Sequence, residues 1–512
     1  MCFHTSSSVT FTDDADPGRA HETVIATPLP DGYWVQAFPF SGDSGDFPDI
    51  IAYGLGFQGA PSTVRVFTNP LNDESGDGWK VSEIASLDFP VGMTYADLTG
   101  DGFNDVIVCD RYGPSMDNLW DADTQDGGRI QWLKNPGQRS SQPFWKANKI
   151  GNSTGMHRLQ AGHFTQSDVV QVMGLPIISK SSDLQSPAPI LIFTPVYNSD
   201  KSQGPTSWTK ETAFASQFRL IHDVRLLPRS NGELDMVVVS GREGIVLLWF
   251  DSDGQKWSYN VVGEGLLPPA PSSPGYWGSG SVDVCRVGDD DVGYIATCEA
   301  FHGNTVAVYT KSEDAPKGAT SLKSSSYWTR TVIDSYGPLD SESHTGTVHH
   351  VAAVPLAGSD VESFAIACMG APTGVAANQG VYLYKPVDLT GTRFEKVKVT
   401  GESAGRLAVA AYSVPNQMDV ASISYYVPGY HTGPDPSQLR IDSINTAGPR
   451  SLEFSATKLD KEVLLRIPRP SNVPVGVTPS LPFWALAGKK LTLVVLSPGD
   501  STTLATGVVA IK

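Results

Sequence analysis

The sequence predicts an all-β fold: a seven-bladed β-propeller with a small C-terminal β appendage. A short strand-like run recurs seven times at intervals of about 60 residues, and Gly, Pro, Asn and Asp separate the runs. Because one repeat of this length cannot bury its apolar faces alone, neighbouring repeats must pack on both of its sides. Seven four-stranded units in a ring form a propeller. The runs are residues 64–67, 130–133, 190–193, 246–249, 306–309, 381–384 and 439–441.

The other strands of each unit follow from the same register. A second strand precedes the run, and runs around Tyr294 and Phe364 supply it in two of the units. In the other five units an acidic residue opens it: Asp49, Asp105, Asp168, Asp235 and Asp419. An outer strand follows the run, with an aromatic residue near its start in six units: Trp79, Trp145, Trp208, Trp257, Trp328 and Phe394. No stretch has sustained helical periodicity.

The N-terminal segment is expected to close the ring. Residues 21–28 resemble the outer strands 79–84 and 328–334 and precede the first inner strand, so we expect them to supply the seventh blade's outer strand. The alternative is residues 451–459, with Phe454 in the aromatic place. The predicted domains are a propeller over residues 1–445 and a β appendage over residues 446–512 that packs on it.

Composition indicates a soluble globular protein. The net charge of −17 argues against nucleic acid and against an anionic membrane surface, and no apolar run is long enough to span a bilayer. The first residues lack the basic and apolar regions of a secretory signal, and five scattered cysteines fit a reducing compartment. We therefore expect a cytoplasmic protein; the alternative is a secreted one, because a mature form stripped of its leader would look similar. A homodimer is compatible with the sequence.

The loop between the first two strands of the second blade is a candidate cation site. Oxygen-bearing side chains at alternating positions, with Gly residues that allow a sharp turn, can wrap Ca²⁺ or Mg²⁺. The spacing resembles the calcium loops of integrin-type FG-GAP propeller repeats. A metal-free Asp/Gly turn is the alternative, and a cation here would be structural. The expected ligands are the side chains of Asp97, Thr99, Asp101 and Asp105 and the carbonyl of Phe103.

Histidines converge on one face of the predicted ring. We call it the upper face; it carries the entries to the inner strands and the loops from second to third strands. His157, His222, His349 and His350 begin inner strands, His344 lies just upstream of the last two, and His302 and His431 lie in second-to-third-strand loops. Arginines 111, 158, 242 and 406 are expected nearby. Each histidine alone reads as structural, but three neutral imidazoles from separate strands can hold Zn²⁺ with an open coordination position.

Several stretches resemble the propeller of the fungal aldos-2-ulose dehydratases, also called 1,5-anhydro-D-fructose dehydratases. They are residues 155–164, 220–225 and 344–350, together with the loop 97–105 and the residues 109–113 that follow it. The resemblance extends over residues 20–445 and implies a metal-assisted dehydration in the propeller. Family members carry cupin-type domains with a second metal site after the propeller. Because no histidine follows His431 in this chain, a second, isomerising activity is left open.

The residues suit a lyase that dehydrates a 2-keto sugar such as 1,5-anhydrofructose or glucosone. A carbonyl acidifies the neighbouring C–H; Zn²⁺ would stabilise the enediolate and a neutral histidine would remove the proton. A second histidine or an arginine-oriented water would help hydroxide leave. The expected Zn²⁺ ligands are His157, His222 and His349. The expected base is His350 or His302, and Arg111 and Tyr112 are expected to contact sugar hydroxyls.

Two functions from other classes remain as alternatives. A non-enzymatic carbohydrate-binding propeller would repeat its loops from blade to blade, whereas these loops differ. An interaction scaffold with only a structural cation would need no cluster of histidine and arginine. No nucleophile elbow, phosphate-binding loop or zincin helix points to another enzyme class.

Overall fold

The structure, a computed structural model, describes side chains for most of residues 22–444 and the backbone alone of several strands outside them. The described residues are 5–10, 21–42, 46–56, 60–72, 78–112, 128–139, 144–178, 186–229, 232–270, 273, 276–341, 343–370, 378–388, 391–427, 437–444, 451–459, 462–466, 490–496 and 503–510. The chain divides into two compact units, Ala20–Ile444 and Met1–Arg19 with Asn445–Lys512.

Unit Ala20–Ile444 contains seven four-stranded antiparallel sheets, which confirms the predicted seven-bladed all-β propeller. In six blades the four strands follow one another along the chain. Blade one consists of β3 (Trp34–Phe38), β4 (Asp49–Tyr53), β5 (Ser62–Thr68) and β6 (Lys80–Leu87). Blade two consists of β7 (Gly92–Ala96), β8 (Asp105–Asp110), β9 (Arg129–Lys134) and β10 (Lys146–Asn152). Blade three consists of β11 (Met156–Gly162), β12 (Gln171–Pro176), β13 (Ala188–Val196) and β14 (Ser207–Phe218). Blade four consists of β15 (Asp223–Leu227), β16 (Met236–Gly241), β17 (Gly244–Asp251) and β18 (Lys256–Gly263). Blade five consists of β19 (Ser281–Val287), β20 (Asp290–Glu299), β21 (Thr305–Lys311) and β22 (Trp328–Ser335). Blade six consists of β23 (Val348–Val354), β24 (Ser363–Cys368), β25 (Gly380–Pro386) and β26 (Phe394–Thr400).

The seventh blade joins the two ends of this unit. It contains β27 (Arg406–Val414), β28 (Gln417–Ile423) and β29 (Ser437–Ser443), and its outer strand is β2 (His21–Leu29). β2 runs antiparallel to β29, with Glu22 opposite Asp442. The alternative closing segment lies in the other unit as β30 (Ser451–Leu459).

The second unit is described as backbone only. Its three-stranded sheet has β30 between β1 (Thr5–Thr10) and β31 (Glu462–Arg466), and β32 (Lys490–Leu496) pairs with β33 (Thr503–Ala510). The domain boundary at residue 445 and the packing of an appendage on the propeller stay predictions.

The recurring acidic residue closes a loop in most blades where it was noticed. Asp49, Asp105, Asp235 and Asp419 are buried, and each accepts a hydrogen bond from a backbone N–H of another segment: a loop for the first three, and the end of β27 for Asp419. Asp168 does not open its strand: it is exposed and β12 begins at Gln171. The longer side chain of Gln171 takes the same role, because its Oε1 accepts from the backbone N–H groups of residues 164 and 165.

The inner strands position the candidate site. β3, β7, β11, β15, β19, β23 and β27 surround a cavity of about 600 Å³ on the axis. In an antiparallel blade the inner strand begins at the end of the sheet where the second strand finishes. The starts of the inner strands and the loops after the second strands therefore lie at the same end of every sheet. The described helices are four short 3₁₀ segments, Pro70–Asn72, Lys201–Gln203, Gly318–Lys323 and Ser325–Tyr327, and no described helix could cross a membrane.

Candidate metal centre

Three histidines from different blades meet at the upper face. The described part of the chain holds one group of three metal-ligating side chains whose ligand atoms lie within 4.8 Å of one another: His222, His302 and His349. His222 directly precedes β15, His302 lies between β20 and β21, and His349 lies in β23. Their ring centroids are 4.7–5.1 Å apart. We call them the three-histidine group.

Backbone carbonyls of the following blades fix two of these rings. Nδ1 of His222 lies 2.5 Å from the carbonyl oxygen of Gly280, and Nδ1 of His349 lies 2.5 Å from that of Gly405. A carbonyl only accepts, so each Nδ1 carries the proton and each Nε2 keeps a lone pair. Both Nε2 atoms are buried and have no hydrogen-bond partner among the described residues. A metal-binding histidine has this arrangement: one nitrogen on a carbonyl and the other left for the metal.

Positions 280 and 405, whose carbonyls hold the two rings, have no room for a side chain. A Cβ at Gly280 would lie 2.5 Å from the carbonyl oxygen of Ala300, and one at Gly405 would lie 2.7 Å from a ring carbon of Tyr425. Tyr425 itself packs on His349, with ring centroids 5.2 Å apart, and Phe301 stacks on His302 at 4.1 Å. Aromatic rings therefore line the three-histidine group.

Burial keeps these imidazoles neutral. His222 and His349 are each 2 % exposed, and burial lowers their pKa well below the usual value, with the charge of Arg158 acting in the same direction. A neutral imidazole is the form that binds a metal. The donor set is therefore compatible with a metal such as Zn²⁺.

His157, expected among the ligands, lies beside the group rather than in it. Its ring stacks on His222 at 5.2 Å, and its Nε2 lies 3.0 Å from Nη1 of Arg158. Because a guanidinium only donates, this Nε2 accepts and the proton lies on Nδ1. The structure thus places a donor here, and His302, expected as a possible base, completes the group instead.

His350 faces away from the group. Successive residues of a strand point to opposite sides, so His349 reaches the three-histidine group while His350 lines the axial cavity. Its Nδ1 accepts from the backbone N–H of Leu407 at 3.3 Å, which leaves the proton on Nε2, 3.7 Å from Asp223. A nitrogen that already carries a proton cannot act as a base. His350 is therefore not placed as the expected base.

Asp223, the residue after His222, lies at the centre of a buried cluster of charged and polar side chains. It accepts from Arg406 at 3.1 Å and from Ser281 at 2.6 Å, and its Oδ1 lies 4.0 Å from Nε of Arg158. Burial would raise the pKa of Asp223, but Arg406, His350 and Arg158 outweigh it and hold that pKa below its usual range. Asp223 was not predicted from the sequence, although its position directly after His222 at a strand start is a usable signal.

The other expected contacts are placed only in part. The ring of Tyr112 lies 5.3 Å from that of His157, so Tyr112 reaches the edge of the site. The backbone N–H of Arg111 donates to the carbonyl of Asp88. His344 lies in a turn, where its N–H donates to the carbonyl of Asp340. His431 lies outside the described residues.

The expected cation loop has a different character. Asp97 accepts from the N–H groups of Thr99, Gly100 and Gly102 and from the Thr99 hydroxyl. Asp101 accepts from the N–H of Phe103. The buried Asp105 accepts from two backbone N–H groups, and burial raises its pKa to about 7. The loop's own backbone thus bonds to each of these carboxylates, and a Ca²⁺ or Mg²⁺ site here stays a prediction.

The chain is related to the aldos-2-ulose dehydratases. Residues 127–312 match the family model of the aldos-2-ulose dehydratase β-propeller domain, and residues 452–512 match that of the aldos-2-ulose dehydratase/isomerase cupin domain. Aldos-2-ulose dehydratase of Phanerodontia chrysosporium is 43% identical over 476 residues, which are 92% of this chain and 50% of that protein. The chain thus spans about half the length of this curated relative. These matches confirm the resemblance inferred from the sequence, and they relate the segment expected as an appendage to a cupin domain.

Solved structures match more weakly. A lectin of Agrocybe aegerita that recognises terminal N-acetylglucosamine has a TM-score of 0.40 and 11% identity, over 73% of this chain and 81% of that one. The α-L-arabinofuranosidase Arb93A of Fusarium graminearum has a TM-score of 0.36 and 13% identity, over 69% and 93%. At these values neither match carries a functional argument.

Proposed function

We propose that this chain is a metal-dependent dehydratase of a 2-keto sugar, of the 1,5-anhydrofructose or glucosone type. Two observations support the proposal. The relative that matches 92% of the chain is named aldos-2-ulose dehydratase. The observation that carries the metal dependence is the pair of buried Nε2 atoms of His222 and His349, which converge without a partner among the described residues.

His222, His302 and His349 would hold the metal, with Zn²⁺ the expected ion because imidazole is one of its preferred ligands. When bound, it would act as a Lewis acid on the sugar carbonyl. The Gly280 and Gly405 carbonyls hold two of the rings in the tautomer that ligation needs. Burial behind Tyr425 and Phe301 excludes water, which strengthens every charge interaction in the site.

The role of His302 separates two versions of this site. A ligating nitrogen has no lone pair left to accept a proton, so His302 cannot be both ligand and base. If it is a ligand, His302→Ala will lower the zinc content of purified protein. If it is the base, His302→Ala will keep the zinc and lose turnover.

The activity is tested by incubating the purified chain with 1,5-anhydrofructose or glucosone. Loss of water next to a carbonyl produces a conjugated enone, which is measured as new ultraviolet absorbance. A strong chelator should abolish that signal and added Zn²⁺ should restore it. Sugar binding without enone formation would favour a carbohydrate-binding propeller, and binding of neither metal nor sugar would favour a scaffold.

A further inference from the structure

Arg158 is a buried guanidinium that donates to two side chains beside the three-histidine group. It is 1 % exposed and lies over the ring of Trp34. Its Nη1 lies 3.0 Å from Nε2 of His157 and 3.0 Å from the carbonyl oxygen of Val91. Its Nη2 lies 3.0 Å from the hydroxyl of Tyr33.

These contacts fix where two protons lie. A guanidinium has five N–H donors and no acceptor, so the Tyr33 oxygen and Nε2 of His157 both accept. The hydroxyl hydrogen of Tyr33 must therefore point elsewhere, and the proton of neutral His157 must lie on Nδ1. We call His157 and Tyr33 the donor pair.

Both members of the donor pair pack on the three-histidine group. His157 stacks on His222, and the Tyr33 ring meets that of His349 edge-on at 5.8 Å. Nδ1 of His157 is buried and has no hydrogen-bond partner among the described residues. A buried N–H without an acceptor lowers the stability of the folded protein. Because this N–H lies next to a candidate metal site, we expect a bound ligand to supply the acceptor.

We infer that Arg158 is a positioning residue that fixes the donor pair, and that His157 donates a hydrogen bond to a substrate oxygen instead of binding the metal. The inference rests on the proposed function and adds roles to the same site. The acceptor would be the carbonyl or a hydroxyl oxygen of a keto sugar. Negative charge grows on the carbonyl oxygen as the neighbouring proton leaves, so fixed donors stabilise that transition state more than the ground state.

Two substitutions at one position test the donor role. In His157→Asn the amide nitrogen takes nearly the place of Nδ1 and can still donate, whereas His157→Leu fills similar space and cannot. We expect kcat to fall by roughly 100- to 1000-fold in His157→Leu, the usual effect of removing one oxyanion donor, and His157→Asn to recover at least about tenfold of it. Both variants should keep the wild-type zinc content. Loss of zinc in both, or equal activity of the two, would overturn the assignment.

A measurement without turnover tests the part played by Arg158. In ¹⁵N-histidine-labelled protein, a protonated and an unprotonated ring nitrogen have well-separated shifts, and comparison with His157→Asn identifies the signals of His157. We expect the Nδ1–H tautomer in the wild type and a mixture of tautomers in Arg158→Lys. If Arg158→Lys does not fold, Tyr33→Phe serves: it should keep the tautomer and the zinc content and lower kcat, because the donor pair loses one hydroxyl. An unchanged kcat in Tyr33→Phe would contradict the part given to Tyr33.

The two hypotheses fail in different ways. A wild-type protein that never forms enone contradicts the proposed dehydration, yet its zinc content and its His157 tautomer still decide the assignment. An Nε2–H tautomer in the folded wild type contradicts the present inference even if dehydration is rapid.

Discussion

The three-histidine group and the loop Asp97–Asp105 differ in what their ligand atoms already bind. In the group, the Nε2 atoms of His222 and His349 are buried and converge with no partner among the described residues. In the loop, Asp97 alone accepts four hydrogen bonds from its own turn. Ligand-type residues at suitable spacing are present in both places. In the loop the backbone already bonds to the first carboxylate, whereas in the group two converging nitrogens have no partner among the described residues.

The difference shows that a spacing motif is a weaker signal than unpartnered atoms. Asp105 belongs to a set that includes Asp49, Asp235 and Asp419, each of which lies at or near the start of a second strand and accepts a backbone N–H. The Asp that would be the last cation ligand thus repeats in blades whose loops lack the motif. Its first role is to close the blade.

The largest expected effect is on the histidine side of the comparison. His222→Ala should remove bound zinc and lower turnover by about 1000-fold or more, since a lost Lewis acid costs several kcal/mol of barrier. His163→Ala is a matched control: His163 is 41% exposed, and its ring lies 3.5 Å from Asp235 of the next blade. Zinc content and enone formation are measured for both variants. Wild-type zinc content in His222→Ala would show that the metal, if any, lies elsewhere.

The loop tests the other side with a smaller effect. In chelator, Asp97→Ala should lower the free energy of unfolding by about 1 kcal/mol, because it removes the acceptor of four hydrogen bonds and water can replace the exposed ones. Asp101→Ala should cost less than about 0.5 kcal/mol. If the loop binds a cation, millimolar Ca²⁺ or Mg²⁺ will raise the melting temperature of the wild type, and Asp101→Ala will abolish that rise. A wild-type melting temperature that neither cation changes would leave the loop as a metal-free turn.

The fold was predictable because its signal is local and repeated. Each run that gave the period lies in the third strand of a blade, and one strand pattern seen seven times is hard to misread. The prediction that Asp168 opens its strand was wrong, because Gln171 with its longer side chain accepts from the loop N–H groups. Sequence pattern fixes strands but not which of two nearby polar residues makes a given bond.

The candidate site was predictable in part. His222 and His349 follow from inner-strand starts, which the period locates. His302 lies in a connection with no period, and its distance to the other two rings depends on the path of that loop. The role of His157 depends on a bond to its sequence neighbour Arg158, and the tautomers of the other two depend on carbonyls of the next blades. Such contacts appear only in three dimensions.

The smallest expected effect tests whether an unpartnered atom alone marks a site. Both carboxylate oxygens of Asp442 are buried without a hydrogen-bond partner among the described residues, and Asp442 belongs to no group of three metal-ligating side chains in that part of the chain. Burial raises the pKa of Asp442 to about 7, and the opposing Glu22 adds to this while Arg440 acts against it. We therefore interpret Asp442 as a destabilising feature of the ring-closing strand pair and not as a binding site.

The sign of its pH dependence follows from that raised pKa. Between about pH 4, near the pKa in the unfolded chain, and pH 7, the folded state binds more protons than the unfolded one. The contribution of Asp442 to the free energy of unfolding therefore falls as the pH rises through this window. Asp442→Asn cannot ionise, so its stability relative to the wild type should improve by about 1 kcal/mol or more from pH 4 to pH 8.

Melting temperatures of both proteins across this range measure the difference, and Glu22→Gln, which removes only the opposing charge, should give a smaller change of the same sign. A difference that stays constant from pH 4 to pH 8 would mean that a hydrogen-bond donor satisfies the Asp442 carboxylate after all. A buried atom without a visible partner would then indicate a site only where other ligand-type atoms converge on it.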